Sequence, residues 1–525
     1  MIKRLLIANR GEIACRIMRT AQAQGIHCIA IYSDSDQNSL HVSLADEAWH
    51  VGPSPARESY LNSANIIAIA QQSAADAIHP GYGFLSENAD FADACQQAGL
   101  IFIGPPAAAI RQMGSKNAAK ALMQTANIPI LAGLDLTHLS VQELERCAQS
   151  LSYPVLLKAS AGGGGKGMRI VESADQFQAA FQRAQSEALK SFGDASLLVE
   201  TYLRQPRHVE VQIFFDSFGN GIYLFDRDCS IQRRHQKIIE EAPAPFLDEN
   251  LRKRMGETAL QAARCIDYVG AGTIEFLLDS DNKFYFMEMN TRLQVEHPVS
   301  EMITGLDLVA WQIAIAEQKP LPLKQHELVQ SGHSIEVRLY AENPANDFLP
   351  CTGTLHQWQI PTPSDSLRID SGLAQGDVVS AYYDPLLAKV ISHGATRHEA
   401  IQKLAYGLQQ IHLSGLTSNL DYLKALLQQE HFEAGPLSTN FLNQYPPDFL
   451  PSDTTINSAF VLAALAFLDE LHGTWKNNCG WRLNQPAEYQ VTLCYHSAKE
   501  SLIKNLHISW IEYGLFRLSF DHLTY

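Results

Sequence analysis

Tyr153-Pro154-Val155-Leu156-Leu157-Lys158, then Gly162-Gly163-Gly164-Gly165-Lys166-Gly167, then Met168-Arg169-Ile170-Val171 read as a strand, a glycine loop and a second strand. The loop therefore closes a hairpin. It satisfies the spacing G-x-G-x-x-G, but that pattern takes a dinucleotide only between a strand and a helix, and here the helix is missing. The Walker A pattern fails as well, because Ser160 stands where its first glycine belongs and Gly167 follows Lys166 in place of Ser or Thr. What is left is a glycine-rich hairpin tip that can close over a triphosphate, since bare backbone N–H groups reach the oxygens without side-chain obstruction. A glycine run is also the composition of a mobile linker. Lys158 at the base and Lys166 within the loop favour phosphate, because two cations flanking exposed amides suit a polyphosphate.

Downstream, Gly272-Thr273-Ile274-Glu275-Phe276-Leu277 and Phe284-Tyr285-Phe286-Met287-Glu288-Met289-Asn290 are strands joined by the turn-forming run Asp279-Ser280-Asp281-Asn282. The second strand places Glu288 and Asn290 on one face, and hairpin pairing brings Glu275 alongside them. Oxygen ligands clustered beside a triphosphate are what Mg²⁺ requires. Carboxylates without a partner would be costly in so apolar a hairpin. Thr291-Arg292-Leu293-Gln294-Val295-Glu296-His297-Pro298 follows as a dense polar loop at the mouth of this metal site.

Upstream, Gln232-Arg233-Arg234-His235-Gln236-Lys237 is the most basic stretch of the chain. Such runs are most often solvated. In so acidic a protein, with Glu240 and Glu241 following, this one reads as a local anion site. Arg338, on a strand whose other face is Ile335, Val337 and Leu339, adds a cation. In Arg207-His208-Val209-Glu210-Val211-Gln212-Ile213 the polar residues His208, Glu210 and Gln212 share one face, and alternation of that kind by itself predicts a solvated face.

Residues 1–112 alternate short β-like runs (4–8, 27–32, 75–79, 100–104) with helical patterns, as in residues 12–22, where Ile13, Ala14, Ile17, Met18 and Ala21 fall on one face. This predicts a doubly wound parallel α/β domain. Its first turn, Asn9-Arg10-Gly11-Glu12, lacks the dinucleotide fingerprint, so the domain is expected to buttress a neighbouring site. Residues 113–330 form a central domain of antiparallel strands, with a glycine-rich lid over about 130–205. Residues 331–445 mix strands such as 334–340 with a helix near 399–410. Tyr445-Pro446-Pro447-Asp448-Phe449-Leu450-Pro451 reads as a linker, followed by an apolar helix over 456–472 and three strand-like runs in which no chemistry can be named. The expected class is a multidomain α/β and α+β protein.

The bulk numbers agree with a soluble enzyme: 525 residues, 46% hydrophobic and 18% charged. A net charge of -16 argues against nucleic acid as a partner. Nine cysteines carry no C-x-x-C pair and no zinc spacing, so they read as buried thiols of a reducing compartment. The longest apolar run, residues 459–468, is about half of what a bilayer span needs. With no signal or transit pattern at Met1-Ile2-Lys3-Arg4, a cytoplasmic location without membrane contact is expected.

Met113-Gly114-Ser115-Lys116, the loop from Lys158 to Met168, Gln232 to Lys237 and the string Glu288 to Pro298 resemble, in order, the signatures of biotin carboxylase, an ATP-grasp enzyme. The resemblance runs from Met1 to about Asn440. It implies a central ATP-grasp domain and a mixed C-terminal biotin carboxylase domain. It also implies that Lys116, Lys158, Gly162, Gly163, Gly164, Gly165, Met168 and His208 hold ATP phosphates or the nucleotide. Glu200 and Leu203 would hold adenine, with Gln232 and His235 nearby. Glu275, Glu288 and Asn290 would ligate Mg²⁺ or Mn²⁺. Lys237, Arg292, Gln294 and Val295 would bind bicarbonate, Glu296 would be its general base, and Arg338 would meet the ureido oxygen of biotin.

Ser380-Ala381-Tyr382-Tyr383-Asp384-Pro385-Leu386-Leu387-Ala388-Lys389 resembles a stretch of multidomain acyl-CoA carboxylase α subunits. Gly480-Trp481-Arg482-Leu483-Asn484 is similar to the methylcrotonyl-CoA carboxylase α subunit. No Met-Lys-Met acceptor motif is present, so the biotin is expected on another polypeptide or the chain is a fragment; the implied partners are a biotin carrier domain or protein and a carboxyltransferase β subunit, in an oligomer. An acetyl-, propionyl- or geranyl-CoA carboxylase, another ATP-grasp ligase, or a nucleotide-binding module without turnover are the alternatives.

Overall fold

A computed structural model gives the fold and describes residues 1–137, 139–160, 168–435, 437–470, 488–496, 501–512 and 515–524. The glycine loop, residues 161–167, and the 480–484 motif lie outside them.

The N-terminal block is a five-stranded parallel sheet, ordered Glu47–Gly52, His27–Ser33, Arg4–Ile7, Ala77–His79, Ile101–Phe102. Leu5, Leu6 and Ile7 are fully buried, as a central parallel strand covered on both faces requires. The helix Gly11–Ala23 buries Ile13, Ala14, Ile17, Met18 and Ala21, the predicted stripe. Glu47–Gly52 was not foreseen, because an edge strand reading Glu-Ala-Trp-His-Val-Gly carries polar residues where a buried strand would be apolar. Leu5 and Ile7 share one core with Phe214, Leu293 and Trp311, so this block packs directly behind the Thr291 to Glu296 loop.

The centre is an eight-stranded antiparallel sheet, ordered Phe284–Asn290, Gly270–Leu278, Arg207–Phe215, Gly221–Arg233, Gln236–Ala242, His333–Tyr340, Leu386–Gly394, Leu367–Ser371. It draws strands from both sides of residue 330. One face presents Val209, Val211, Ile213, Ile274 and Phe276 to Met255 and Ala259 of the helix Glu249–Arg264. The other face carries the polar residues and is also covered: His208, Glu210 and Gln212 are all buried, which corrects the solvated face that alternation predicted. Alternation marks two unlike faces and says nothing of what covers the polar one.

Beside it stands a separate four-stranded sheet, ordered Gly133–Asp135, Leu197–Thr201, Val155–Ala159, Arg169–Val171, with the helices Val141–Ser150 and Ala174–Phe192 packed on it through Leu144, Phe177 and Phe181. Val155–Ala159 and Arg169–Val171 pair antiparallel, as the hairpin reading of these two strands predicts. After the Tyr445 to Pro451 linker the helix Asp453–Glu470 lays Phe460 and Ala464 on a sheet of four strands rather than three; the fourth, Leu523–Thr524, is too short to show a pattern.

The thiol reading also needs correction. Cys15, Cys28, Cys95, Cys147 and Cys229 are buried, but Cys265 and Cys494 are exposed and Cys351 is half-buried. Among the described residues no single helix is long and apolar enough to cross a membrane.

Candidate active site

Lys237, on Gln236–Ala242, points into the polar face of the large sheet. Its Nζ donates to Glu210 Oε2 at 2.7 Å, to Glu275 Oε1 at 3.0 Å and to Glu296 Oε1 at 2.6 Å. Glu210 and Glu275 are direct cross-strand neighbours, which is why one ammonium reaches both. The second oxygen of Glu296 accepts from Arg338 at 3.0 Å, and Arg338 Nε donates to Glu240 Oε1 at 2.6 Å. Arg227, with no exposed surface, donates to Glu210 Oε1 at 2.5 Å, to Gln212 and Ser300 at 2.9 Å and to Thr273 at 3.1 Å. Four carboxylates (Glu210, Glu240, Glu275, Glu296) thus face three cations (Arg227, Lys237, Arg338) in one cluster. Isolated charges could not be buried there at tolerable cost; paired and hydrogen-bonded ones can.

The hairpin behaves as its sequence predicts. Glu275 stands opposite Glu288 and Thr273 opposite Asn290. Glu275 Oε1 accepts from Asn290 Nδ2 at 2.7 Å and Gln294 Nε2 at 3.2 Å, and Glu275 Oε2 lies 2.9 Å from His208 Nε2. Arg292 caps this group, donating to Asn290 Oδ1 at 3.1 Å, to Gln294 Oε1 at 3.0 Å and to Glu87 Oε2 at 2.9 Å. Glu275, Glu288 and the Asn290 amide oxygen are hard oxygen donors on adjacent strands, a donor set that suits Mg²⁺ or Mn²⁺.

Electrostatics keep Glu296 ionised. Burial alone would push the Glu296 carboxyl up, but Lys237, Arg338 and Arg227 hold it well below the usual carboxylate range. Burial likewise opposes charge on Lys237, yet Cys229 and the surrounding carboxylates raise it well above an ordinary lysine.

A second cluster lies on the separate four-stranded sheet. Glu200, buried on Leu197–Thr201, pairs with Lys158 at 2.6 Å and with Lys120. Met168, just before the strand Arg169–Val171, and Leu203, just after the strand Leu197–Thr201, are half-buried. Lys116 opens the helix Lys116–Thr125, capped by the Ser115 side chain; only its backbone is described. Met123 of that helix shares a core with Phe286 and Met289, so the helix packs against the strand of Glu288 and Asn290.

The basic stretch divides, which corrects its reading as a single anion site. Arg233 and Arg234 both bind Asp347 on the rim, His235 is exposed on the turn, and Gln232 is buried, its amide 3.4 Å from the Cys229 carbonyl. Lys237 alone of the stretch joins the buried cluster. Glu241, beside Glu240 in sequence, faces away and binds His333 and Arg397. Val295 contributes its carbonyl to Lys389 at 2.9 Å. The sequence reading missed Glu87, Lys120, Arg227 and Lys389. Arg227 alone left a trace, as the centre of Asp226-Arg227-Asp228 inside an otherwise strand-like run.

Three family models match in sequence: biotin carboxylase, N-terminal domain (residues 1–110), carbamoyl-phosphate synthase L chain, ATP binding domain (115–324), and biotin carboxylase C-terminal domain (336–444). The methylcrotonoyl-CoA carboxylase subunit alpha, mitochondrial, of Dictyostelium discoideum is 50% identical over 93% of this chain and 72% of its own length. For that of Rattus norvegicus the values are 52%, 88% and 65%, so the chain spans only about two thirds of these relatives. Among solved structures, the biotin carboxylase domain dimer of Hydrogenobacter thermophilus 2-oxoglutarate carboxylase, in complex with MgADP, ADP and bicarbonate, superimposes with a TM-score of 0.82 at 40% identity, covering 86% of this chain and 100% of that one. On fold, site and sequence together, the chain belongs to the biotin carboxylase family of ATP-dependent ligases, enzymes that use ATP, Mg²⁺, bicarbonate and biotin.

Proposed function

We propose that this chain carboxylates carrier-linked biotin as the α subunit of a methylcrotonyl-CoA carboxylase, with the buried cluster around Lys237 as its bicarbonate site. The observation that carries this reading is the sharing of Lys237 by Glu210, Glu275 and Glu296 while Arg338 takes the other Glu296 oxygen. Such a site can admit a small anion only by exchanging ion pairs, which suits bicarbonate.

In this reading Lys116, Lys158, the Gly162 to Gly165 loop, Met168 and His208 hold the nucleotide and its phosphates. Glu200 and Leu203 border the adenine, with Gln232 and His235 close by. Glu275, Glu288 and Asn290 hold Mg²⁺ or Mn²⁺, which neutralises charge on the triphosphate. Lys237, Arg292, Gln294 and Val295 orient bicarbonate. As the anion draws Lys237 toward itself, Glu296 loses a cation, becomes more basic and takes the bicarbonate proton. The bicarbonate oxygen attacks the γ-phosphorus, ADP leaves, and carboxyphosphate forms. It breaks down to CO₂ and phosphate, the phosphate takes the biotin N–H proton, and Arg338 stabilises the ureido oxygen while the nitrogen attacks CO₂. Closure of the lid keeps water out.

The division into residues 1–112, 113–330, 331–445 and 446–525 belongs to the same reading. So do an oligomeric state, a biotin carrier and carboxyltransferase β subunit as partners, and a cytoplasmic location. Reconstitution with a carboxyltransferase and a biotinylated carrier, scored across methylcrotonyl-, acetyl-, propionyl- and geranyl-CoA, tests it. Methylcrotonyl-CoA is expected to give the highest kcat/KM, and preference for another acyl-CoA would overturn the acceptor.

A further inference from the structure

Lys389 has no exposed surface, yet the reaction scheme above does not use it. It lies on Leu386–Gly394, directly across from Arg338 on one neighbouring strand and from Asp370 on the other. Its Nζ donates to the Val295 carbonyl at 2.9 Å and lies 3.3 Å from Glu12 Oε1 and 3.7 Å from Asp370 Oδ2. Glu336, two residues from Arg338 on the same face, is fully buried, and neither carboxyl oxygen has a hydrogen-bond partner among the described residues. The fold thus encloses an ammonium among acidic groups where an apolar side chain of similar length would avoid the desolvation cost.

Register does not need this lysine. Its strand is held to His333–Tyr340 by paired residues from His333 to Tyr340, and the opposite face is packed by Val337, Leu339, Ala388 and Val390. The Thr291 to Glu296 loop does need fastening, because it is irregular backbone between a strand and the helix His297–Thr304. Glu87 fixes its start, accepting from the Thr291 N–H at 3.0 Å and from Arg292 at 2.9 Å. Lys389 fixes its end, at the carbonyl of the peptide whose N–H belongs to Glu296.

We propose that Lys389 is a positioning residue: its ammonium, seated on the Val295 carbonyl beside Arg338, sets the orientation of the Val295–Glu296 peptide and so the distance of the Glu296 carboxylate from bicarbonate. This rests on the carboxylase reading above. Glu12 and Asp370, 3.3 and 3.7 Å from Nζ, hold that ammonium in place.

The test uses the full chain, bicarbonate-dependent ATP cleavage with free biotin, and the variants Lys389→Met and Lys389→Arg, with melting temperature measured alongside. Misplacing a reacting group by about 1 Å costs on the order of 100-fold. Lys389→Met is therefore expected to lose about 100-fold in kcat and to raise the bicarbonate KM about tenfold, with the ATP KM within about twofold. Lys389→Arg, which keeps the charge, is expected to recover about tenfold of the lost kcat. If Lys389→Met does not fold, a raised bicarbonate KM in Lys389→Arg at wild-type melting temperature supports the role. A folded variant with unchanged bicarbonate KM, including one whose kcat alone falls, overturns it, since loss of active fraction lowers kcat without moving a Michaelis constant. Wild-type protein that cleaves ATP without regard to bicarbonate overturns the carboxylase reading instead, and is seen before any variant is made.

Discussion

Glu296→Gln separates basicity from shape. The carboxylate accepts two buried charge-assisted hydrogen bonds, from Lys237 at 2.6 Å and from Arg338 at 3.0 Å. An amide keeps one acceptor and turns the other position into a donor facing a cation, so about one such bond is lost, worth about 1.5–3 kcal/mol. Lys237 retains Glu210 and Glu275, and Arg338 retains Glu240, so neither cation is stranded and the variant is expected to fold. Loss of the general base is expected to lower kcat for bicarbonate-dependent ATP cleavage by about 100- to 10,000-fold. The ATP KM is expected to stay within about twofold, because the nucleotide contacts are made by other residues. Steady-state rates with ATP, bicarbonate and free biotin, together with a denaturant midpoint for the fold, give both numbers. A folded Glu296→Gln with kcat within about threefold of wild type would refute its role as base and with it the assignment of Lys237 and Arg338 as its partners.

Glu241 gives a pH prediction away from the chemistry: burial would raise its carboxyl, but Arg397 and His333 pull it from an ordinary 4.5 down to about 2. A carboxylate depressed in the folded state stabilises it above the unfolded pKa and loses that contribution as pH falls from 4.5 to about 2, here by up to about 3 kcal/mol; denaturant midpoints from pH 7 to pH 3 should fall less steeply in Glu241→Gln than in wild type. Glu200→Ala removes the carboxylate between Lys158 and Lys120 and is expected to raise the ATP KM about tenfold with a smaller change in kcat, read in the same steady-state assay. Chelation with EDTA should abolish ATP cleavage, and Glu288→Gln should raise the Mg²⁺ concentration for half-maximal rate by about 10–100-fold while leaving the melting temperature close to wild type.

The elements that were legible in the sequence are those in which local pattern and tertiary role coincide. The stripe of Ile13, Ile17 and Ala21, the glycine hairpin flanked by Val155–Ala159 and Arg169–Val171, and the pairing of Glu275 with Glu288 all follow from periodicity and turn chemistry within a few dozen residues. The rest depended on distance along the chain. Glu87 reaches Arg292 across 205 positions and Lys389 reaches Val295 across 94, so nothing near either residue announces its partner. Arg233, Arg234 and Lys237 look alike as a basic run, but the turn after Arg233, where Arg234 and His235 take positive φ, sends the two arginines to Asp347 and returns Lys237 to the sheet interior. The polar face of Arg207–Phe215 looked solvated because alternation cannot show that Arg227, from the adjacent strand, closes over Glu210 and Gln212.

In the proposed reaction, nucleotide and bicarbonate meet at the Lys237–Glu275–Glu296 cluster and the carboxyl group passes to biotin. Incubating the protein with ¹⁴C-bicarbonate, ATP, Mg²⁺ and free biotin, and measuring label in carboxybiotin against ADP released, tests it most directly. Labelled carboxybiotin is expected, requiring every component and lost in Glu296→Gln. Equal ADP release with and without bicarbonate, or no label in biotin under any condition, would contradict it.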